Sequence, residues 1–326
     1  MTEDAVARFR EGLERLWPEG NDPAARLGLA VSGGADSTAL LLLAAAALPG
    51  RIEVVTVDHG LRAEAAAEAA HVAGICAEMS ISHATLKVEV RGGNLQAEAR
   101  HARYGAMAQW IADRELVALA TGHHADDQAE TLMMRLNRGS GVAGLAGARA
   151  RGIVPGTRIP LLRPLLDWRR ACLEAIVEKA GISAIADPSN LDDRFDRVRI
   201  RKALAQADWL DVPAVAASAA HLSEADEVVE WVALREFRNN VRREPMGMHY
   251  RPAAPRAAVL RVVARIVAEL DGDPPRGRAV ARLVDSLLAA RPASIGSLIV
   301  RPDVAGWSFS RAPARRAAAP KRPSTN

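Results

Sequence analysis

The stretch "LAVSGGADSTALLLLA", residues 29–44, decides the fold of this chain. A short apolar run meets a turn with two glycines, an acid and two hydroxyls, and then continues as a leucine- and alanine-rich segment. Glycines directly after a strand let the backbone approach a ligand closely, and a following helix presents free N–H groups and the positive end of its dipole. The pattern therefore predicts a strand, an anion-binding loop and a helix, with phosphate as the usual anion.

Every residue of this loop is a candidate nucleotide contact. The two hydroxyls add donors to the backbone N–H groups, whereas Asp36 is unexpected because a bare carboxylate repels phosphate. Asp36 makes sense if it holds Mg²⁺ or a substrate cation beside the phosphates. The candidate contacts are Ser32, Gly33, Gly34, Ala35, Asp36 and Ser37.

Three other glycine motifs fail on this loop. A Walker A loop needs a lysine, and none precedes Lys87. The G-x-G-x-x-G spacing of a Rossmann loop is absent, and Ser32 follows Val31 rather than the glycine of a G-x-S-x-G elbow. A plain strand–turn–helix without a ligand is the remaining alternative.

The first two thirds of the chain alternate between strands and helices. Apolar runs predict strands at 26–31, 52–57, 82–90 and 116–121, each followed by a helical segment. This order predicts an α/β fold with a doubly wound parallel sheet, whose ligands bind at the carboxyl ends of the strands. The polar motifs of the chain follow those ends.

The character of the chain changes beyond about residue 210. Helical segments at 214–240, 255–270 and 276–290 precede a predicted hairpin in "GSLIVRPDVAGWSFSRA". We therefore predict a catalytic domain over 1–208, a small helical accessory domain over 209–312 and a basic disordered tail over 313–326.

The bulk composition is that of a soluble globular protein. The 326 residues carry a formal net charge of +4, and 39 of the 43 basic residues are arginine. Arginine is well suited to contacts with phosphate and nucleic acid, but a codon bias toward arginine explains the same composition. Cys76 and Cys172 form no C-x-x-C pair, so the sequence gives no sign of zinc or an iron–sulfur cluster. The amino terminus does not resemble a signal peptide, and the longest apolar stretch is too short to span a bilayer. We expect a cytoplasmic protein without membrane contact.

S-G-G-x-D-S is the signature of the PP-loop, or N-type ATP pyrophosphatase, superfamily, and residues 32–37 resemble it at every motif position. The resemblance implies the adenine nucleotide α-hydrolase-like fold. It also implies that ATP is split between its α and β phosphates, that the loop holds the leaving pyrophosphate, and that AMP is transferred to an oxygen of the substrate before a nucleophile displaces it.

Further motifs narrow the resemblance to the tRNA(Ile)-lysidine synthase family. They are "VDHGLR" (57–62), "ARHARY" (99–104), "GHHADDQAET" (122–131), "RGSG" (138–141), "RPLL" (163–166) and "DPSN…DRVRIR" (187–201). The resemblance implies that ATP adenylates the C2 oxygen of the wobble cytosine in a CAU-anticodon isoleucine tRNA. The ε-amine of free L-lysine then attacks C2 and releases AMP.

Two carboxylates and two arginines are the candidate catalytic and substrate-binding groups. Asp127 and Glu130 are three residues apart and share a helix face, so they can hold the amino groups of lysine, and one can take a proton from the attacking amine. A solvated helix face is the alternative. Arg100 and Arg103 can steady the triphosphate or the charge on the cytosine oxygen, with surface salt bridges as the alternative.

The histidines offer nucleotide contacts. We assign His59 and His123 to ATP, and a metal site formed by His123 and His124 with Asp126 or Asp127 is the less favoured use of that cluster.

The family's R-N-x-x-R motif is matched here by Arg197 and Arg201, which we assign to substrate binding. Val198 replaces the asparagine of that motif, which puts an amide contact at this position in doubt. We assign Mg²⁺ binding to Asp36.

The expected partners are ATP, Mg²⁺, free L-lysine and tRNA(Ile), with arginines of the second domain meeting RNA phosphates or forming an ordinary solvated face. Those arginines are Arg235, Arg238, Arg242 and Arg243. The oligomeric state is left open, with a homodimer as one option. The rival functions are another PP-loop tRNA enzyme such as a cytosine thiolase, an amidotransferase-type pyrophosphatase, and a non-catalytic nucleotide- or RNA-binding module.

Overall fold

The computed structural model describes residues 2–58, 64–88, 95–185, 192–272 and 275–312. Contacts within the chain define two compact units, Met1–Ser223 and Glu224–Asn326. The domain boundary that we predict after residue 208 stays a prediction, and the predicted disordered tail lies outside the described residues.

The first unit alternates helices and strands as predicted. Its helices are α1 (Glu3–Leu16), α2 (Ala35–Ala47), α3 (Glu64–Glu78), α4 (Leu95–Asp113), α5 (Ala125–Asn137), α6 (Val142–Leu145), α7 (Arg170–Lys179) and α8 (Asp196–Ala205), and α9 (Val212–Asn240) begins in this unit. Its strands are β1 (Leu27–Ala30), β2 (Ile52–Asp58), β3 (His83–Lys87), β4 (Ala118–Thr121), β5 (Arg151–Ile153) and β6 (Pro160–Leu162). Among these described residues, no helix combines the length and apolar composition needed to cross a bilayer.

The six strands form one sheet in the order β3-β2-β1-β4-β6-β5. β1 pairs in parallel with both β2 and β4, so the strand order reverses beside β1 and leaves a crevice at the carboxyl ends of β1 and β4. β5 runs antiparallel to β6. This short pair was not predicted, because three-residue strands are too short to display a period of two.

Strand β1 shows how helices cover both faces of this sheet. Leu27 and Leu29 pack in a core shared with α1, α2 and α7, whereas Ala30 packs on the opposite side with α4. A Cβ at Gly28 would lie 2.8 Å from the Trp110 ring, so glycine is needed where this indole crosses the strand. The packing of helices on both faces of the strand confirms the doubly wound arrangement.

The second unit is more β-rich than predicted. Besides the end of α9 it contains α10 (Arg256–Asp271), α11 (Gly277–Leu288) and the strands β7 (Val241–Glu244), β8 (Gly247–Tyr250), β9 (Ala293–Ile295), β10 (Leu298–Pro302) and β11 (Trp307–Arg311). The predicted hairpin is confirmed as β10 and β11, and it is the centre of an antiparallel sheet ordered β7-β8-β11-β10-β9. The polar sequence of β7 and the shortness of β9 hide the other strands.

A buried carboxylate organises this second unit. Glu236 Oε1 accepts hydrogen bonds from the Tyr250 hydroxyl at 3.0 Å and from the Ala253 and Ala254 N–H groups at 2.7 and 3.1 Å, while Oε2 accepts from Asn240 Nδ2 at 2.8 Å. Burial acts to raise the pKa of Glu236, but these bonds outweigh it and hold the pKa below its ordinary value.

We expect Glu236→Ala to lower the unfolding free energy by about 3 kcal/mol, because four donors lose their shared acceptor. Since the folded-state pKa is lowered, the wild-type contribution is present above the unfolded pKa of about 4.3 and is lost as the pH falls through the folded value. Urea unfolding at pH 7 and pH 3 tests both statements. Glu227→Ala, which changes an exposed carboxylate on the same helix, is the control. Equal unfolding free energies for the two variants at pH 7 would contradict the assignment.

Candidate active site

A cleft of about 510 Å³ opens at the carboxyl edge of the first unit's sheet. The cleft is lined by the loop after β1 and by Thr121, Gly122 and His123 at the end of β4. Arg103 and Tyr104 of α4 line it as well. Its volume lies in the range of small-molecule sites. The topology therefore places the predicted phosphate loop in a cleft of suitable size.

Hydrogen bonds within the loop after β1 fix its conformation. The Ser32 N–H donates to Ser37 Oγ at 3.1 Å, and Ser37 Oγ donates to the Gly34 carbonyl at 3.0 Å. Gly33 adopts φ +86°, and a Cβ there would lie 2.4 Å from Ile185 Cδ1. Because Gly34 is the N-cap residue of α2, the first N–H groups of this helix have no helical acceptor. The loop thus offers backbone donors and two hydroxyls to an anion.

Asp36 presents one engaged and one unpartnered oxygen. Its Oδ2 lies 3.3 Å from His124 Nε2, whereas Oδ1 is buried without a hydrogen-bond partner. A Cβ at Gly122 would lie 2.9 Å from the Asp36 carbonyl oxygen, so glycine lets β4 end directly against the loop. A single carboxylate oxygen beside a phosphate site suits Mg²⁺, which keeps several waters and shares substrate phosphates. Among the described residues, no three His, Cys, Asp or Glu side chains are grouped to hold a metal by themselves.

His124 ties this loop to the start of α5. The buried ring lies 3.3 Å from Asp36, 3.5 Å from Asp127 and 3.7 Å from Asp126. Burial acts to lower the pKa of His124, but hydrogen bonds with Asp126 and Asp36 and the charge of Asp127 raise it to about 10. A charged imidazole ring has no acceptor nitrogen. The 3.4 Å distance between His124 Nδ1 and the Asp127 backbone nitrogen is therefore not a hydrogen bond in this state, and the ion pairs hold the ring.

The two carboxylates of α5 differ in their surroundings. Asp127 lines the cleft, and its Oδ1 accepts from Arg197 Nη2 at 2.5 Å. Glu130 is 2% exposed, and its oxygens accept from Arg197 Nε and Arg201 Nε at 2.6 Å each. The pair thus forms an ion network with α8. Whether Asp127 and Glu130 hold the amine of a substrate stays a prediction.

Val198 lies between these arginines in the chain but contributes apolar packing. Its side chain is buried, and it provides no polar group where the family motif has an asparagine. The amide contact that the sequence puts in doubt therefore has no donor or acceptor at this position.

His123 is the neutral member of the histidine pair. Its Nδ1 lies 2.9 Å from Thr121 Oγ1. Burial lowers the pKa of His123 to about 4, the charge of Asp127 opposes this, and the charges of Arg163, Arg197 and Arg103 lower it further. The ring therefore offers an uncharged hydrogen-bonding group to the cleft at neutral pH.

The chain matches known proteins along almost its whole length. The family described as a PP-loop domain matches residues 3–208. The tRNA(Ile)-lysidine synthase of Novosphingobium aromaticivorans is 46% identical over 316 residues, which are 96% of this chain and 95% of that protein. The chain belongs to the tRNA(Ile)-lysidine synthase family. The synthase of Zymomonas mobilis is 40% identical over 305 residues, 90% of each chain.

A solved structure supports the fold of this lysidine synthase family member. The U34-tRNA thiolase NcsA from Methanococcus maripaludis with its [4Fe-4S] cluster superposes with a TM-score of 0.55 at 14% identity, covering 69% of this chain and 80% of that one. At this identity the likeness shows the fold alone. The PP-loop family membership supports ATP as a substrate.

The structure brings together most of the site residues that the family motifs predict. The loop residues, Asp127, His123, Arg103 and Arg197 lie on or beside the cleft, and Glu130 and Arg201 lie behind it. Arg100 does not line the cleft and stacks 4.9 Å from the centre of the Tyr104 ring. His59 and the 187–190 part of the motifs lie outside the described residues.

Tyr104 and Arg163 were not predicted to have a role in the site, although Tyr104 belongs to "ARHARY" and Arg163 to "RPLL". Tyr104 lines the cleft, and Arg163 directly follows β6 at the same sheet edge. The position of Arg163 was not recognised because β6 is too short to be predicted from the sequence. The one indication in the sequence is that Arg163 is the polar residue directly after the apolar run "IPLL", and ligand-binding groups commonly follow strand ends.

Proposed function

We propose that this chain joins L-lysine to C2 of the wobble cytosine in CAU-anticodon tRNA(Ile), with ATP cleaved to AMP and pyrophosphate. The near-full-length similarity to named lysidine synthases carries the proposal. The cleft supports it, because the phosphate loop and the acidic start of α5 open onto the same space. No specific observation favours the cytosine thiolase alternative.

The loop residues 32–37 serve the adenylation step. The N–H groups of α2 and the serine hydroxyls bind the departing pyrophosphate. Asp36 Oδ1 is the oxygen that would hold Mg²⁺, and Mg²⁺ would supply charge neutralisation between the phosphates. His124 keeps the other oxygen of Asp36 directed away from that position.

The remaining polar groups serve the second step. Asp127 on the cleft wall receives the lysine amine, and Glu130 contributes to the same acidic site through Arg197, which touches both carboxylates. Arg103, which lines the cleft, stabilises negative charge on the phosphates or the cytosine oxygen, whereas Arg100 acts only through its contact with Tyr104. Arg197 and Arg201 position the substrate.

The second unit supplies arginines for the tRNA. Arg235, Arg238 and Arg242 are largely solvent-accessible and can meet backbone phosphates. Arg243 is already paired with Glu269. We place the reaction in the cytoplasm. Analytical ultracentrifugation of the purified protein distinguishes a monomer from a homodimer.

Incorporation of radiolabelled lysine tests this function. We expect purified protein with ATP and Mg²⁺ to attach lysine to tRNA(Ile) bearing the CAU anticodon and to release one pyrophosphate for each lysine. An elongator methionine tRNA is the matched control, because it has the same anticodon. Pyrophosphate release without lysine incorporation would mean that lysine is not the nucleophile. The absence of pyrophosphate release with either tRNA would contradict the proposal altogether.

A further inference from the structure

Trp231 is a large apolar side chain that the second unit leaves in solvent. It is 57% exposed, and Val228, one turn before it on α9, is 62% exposed. Exposed apolar patches of this kind mark interaction surfaces. Four of the six tryptophans of the chain are buried, namely Trp17, Trp110, Trp168 and Trp307. The exposure of Trp231 therefore calls for a ligand.

A guanidinium group lies against the ring of Trp231. Arg235 Cζ is 4.8 Å from the centre of the ring, which is a cation–π contact. Arg235 follows Trp231 by four residues and Arg238 follows it by seven, so the three side chains share one face of α9. Among the described residues, neither arginine has a carboxylate partner. By contrast, Arg261 and Arg265 of α10 are both paired with acids.

The charge on this helix face is divided at the tryptophan. The exposed acids Glu224 and Glu227 precede the ring. The exposed arginines Arg235 and Arg238 follow it, and Arg242 is exposed two residues beyond the end of α9. A strand of nucleic acid supplies phosphates for such arginines and a flat base for the ring. The basic half of the face is therefore complementary to RNA.

We infer that Trp231 is a stacking site for an unpaired base of the tRNA, with Arg235 and Arg238 on the phosphates that flank this base. The inference rests on the proposed function, which makes tRNA the substrate. It adds a base contact to the phosphate contacts of this unit. A base within an A-form duplex is covered by its neighbours, so an aromatic side chain stacks on bases that are unpaired.

Equilibrium binding of tRNA(Ile) to the full chain, measured by filter retention over a range of salt concentrations, tests this inference. Trp231→Ala is expected to weaken binding about tenfold without changing the salt dependence, because a stacking contact is lost and no charge is removed. Arg238→Gln is expected to weaken binding and to lower the slope of log K against log salt by about one, as for one lost phosphate contact.

Two further variants are the controls. Trp231→Phe keeps a stacking ring, so we expect it to bind tRNA within about threefold of the wild type. Trp209→Ala should bind like the wild type. Trp209 is 81% exposed, but it stands between Asp208 and Asp211 in the chain. Because both tryptophans are exposed, we expect all of these variants to unfold near the wild-type temperature.

Three results would overturn the inference. The first is an unchanged tRNA affinity in Trp231→Ala. The second is a salt dependence that falls in Trp231→Ala as it does in Arg238→Gln, because the ring would then only hold Arg235 on a phosphate. The third is a change in the sedimentation of free Trp231→Ala with tRNA affinity retained, which would assign this face to a second copy of the chain. Binding needs no catalysis, so a wild type that shows the tryptophan effect but incorporates no lysine would contradict the proposed function alone.

Discussion

Replacing Asp36 by alanine is expected to lower the rate of AMP transfer to tRNA by about a thousandfold. Asp36 is the one acid of the phosphate loop, and its Oδ1 is buried without a partner at the entrance to α2. No other described side chain of the loop can offer an anionic oxygen to a cation. Without the Asp36 carboxylate, only the positive end of α2 and the loop donors are left to hold the triphosphate.

Single-turnover release of pyrophosphate from ATP in the presence of tRNA measures this effect without requiring lysine. Asp36→Asn separates charge from shape, because the amide keeps the size of the carboxylate; we expect it to be nearly as slow as alanine and to need more Mg²⁺ for half-maximal rate. Asp208→Ala, at an exposed acid elsewhere in the first unit, controls for the loss of a negative charge. Adenylation by Asp36→Ala within tenfold of the wild type would remove Asp36 from the phosphate site.

The parts of the fold that sequence predicts are those encoded by neighbouring residues. The loop at 32–37 and the strand before it are local patterns, and β1, β2 and β4 all appear within a few residues of their expected bounds. β5, β7 and β9 pair with strands that follow them closely in the chain, but each is only three or four residues long and has polar or glycine residues, so its sequence shows no apolar run. β1 and β4 are equally short but lie in continuous, mainly apolar runs, so apolar patterning explains which strands were found.

The same distinction applies to the site. The residue types and their positions after strand ends predicted the cleft, but the sequence does not show which groups neutralise each other. Glu130 and Arg201 are 71 residues apart, and only the packing of α5 against α8 brings them together. The charge on His124 similarly depends on Asp36, which is remote in sequence. Pairing of this kind is a tertiary property.

Glu130→Gln and Asp127→Asn are expected to separate the two acids of α5. Glu130 is buried and accepts from two arginines, so the neutral amide of Glu130→Gln removes the charge from both ion pairs. We expect it to lower the unfolding free energy by about 2–3 kcal/mol, less than for a fully buried pair because both arginines are partly exposed. Asp127 lies on the cleft wall, where its carboxylate contacts Arg197 and His124. The asparagine variant keeps a side-chain oxygen for one of these contacts, so we expect it to lose less stability than Glu130→Gln.

We also expect the two variants to differ in how they use lysine. Asp127→Asn removes the charge that meets the amine, so we expect the KM for lysine to rise by about thirtyfold while adenylation is retained. Glu130→Gln frees Arg197 from one of its two carboxylates and should reduce lysine use and thermal stability together. Lysine titrations of the second step, measured on pre-adenylated tRNA beside urea unfolding curves, compare the two variants directly. If Glu130→Gln loses lysine use at full stability, Glu130 contacts the amine itself; if Asp127→Asn keeps the wild-type lysine dependence, the amine lies elsewhere in the cleft.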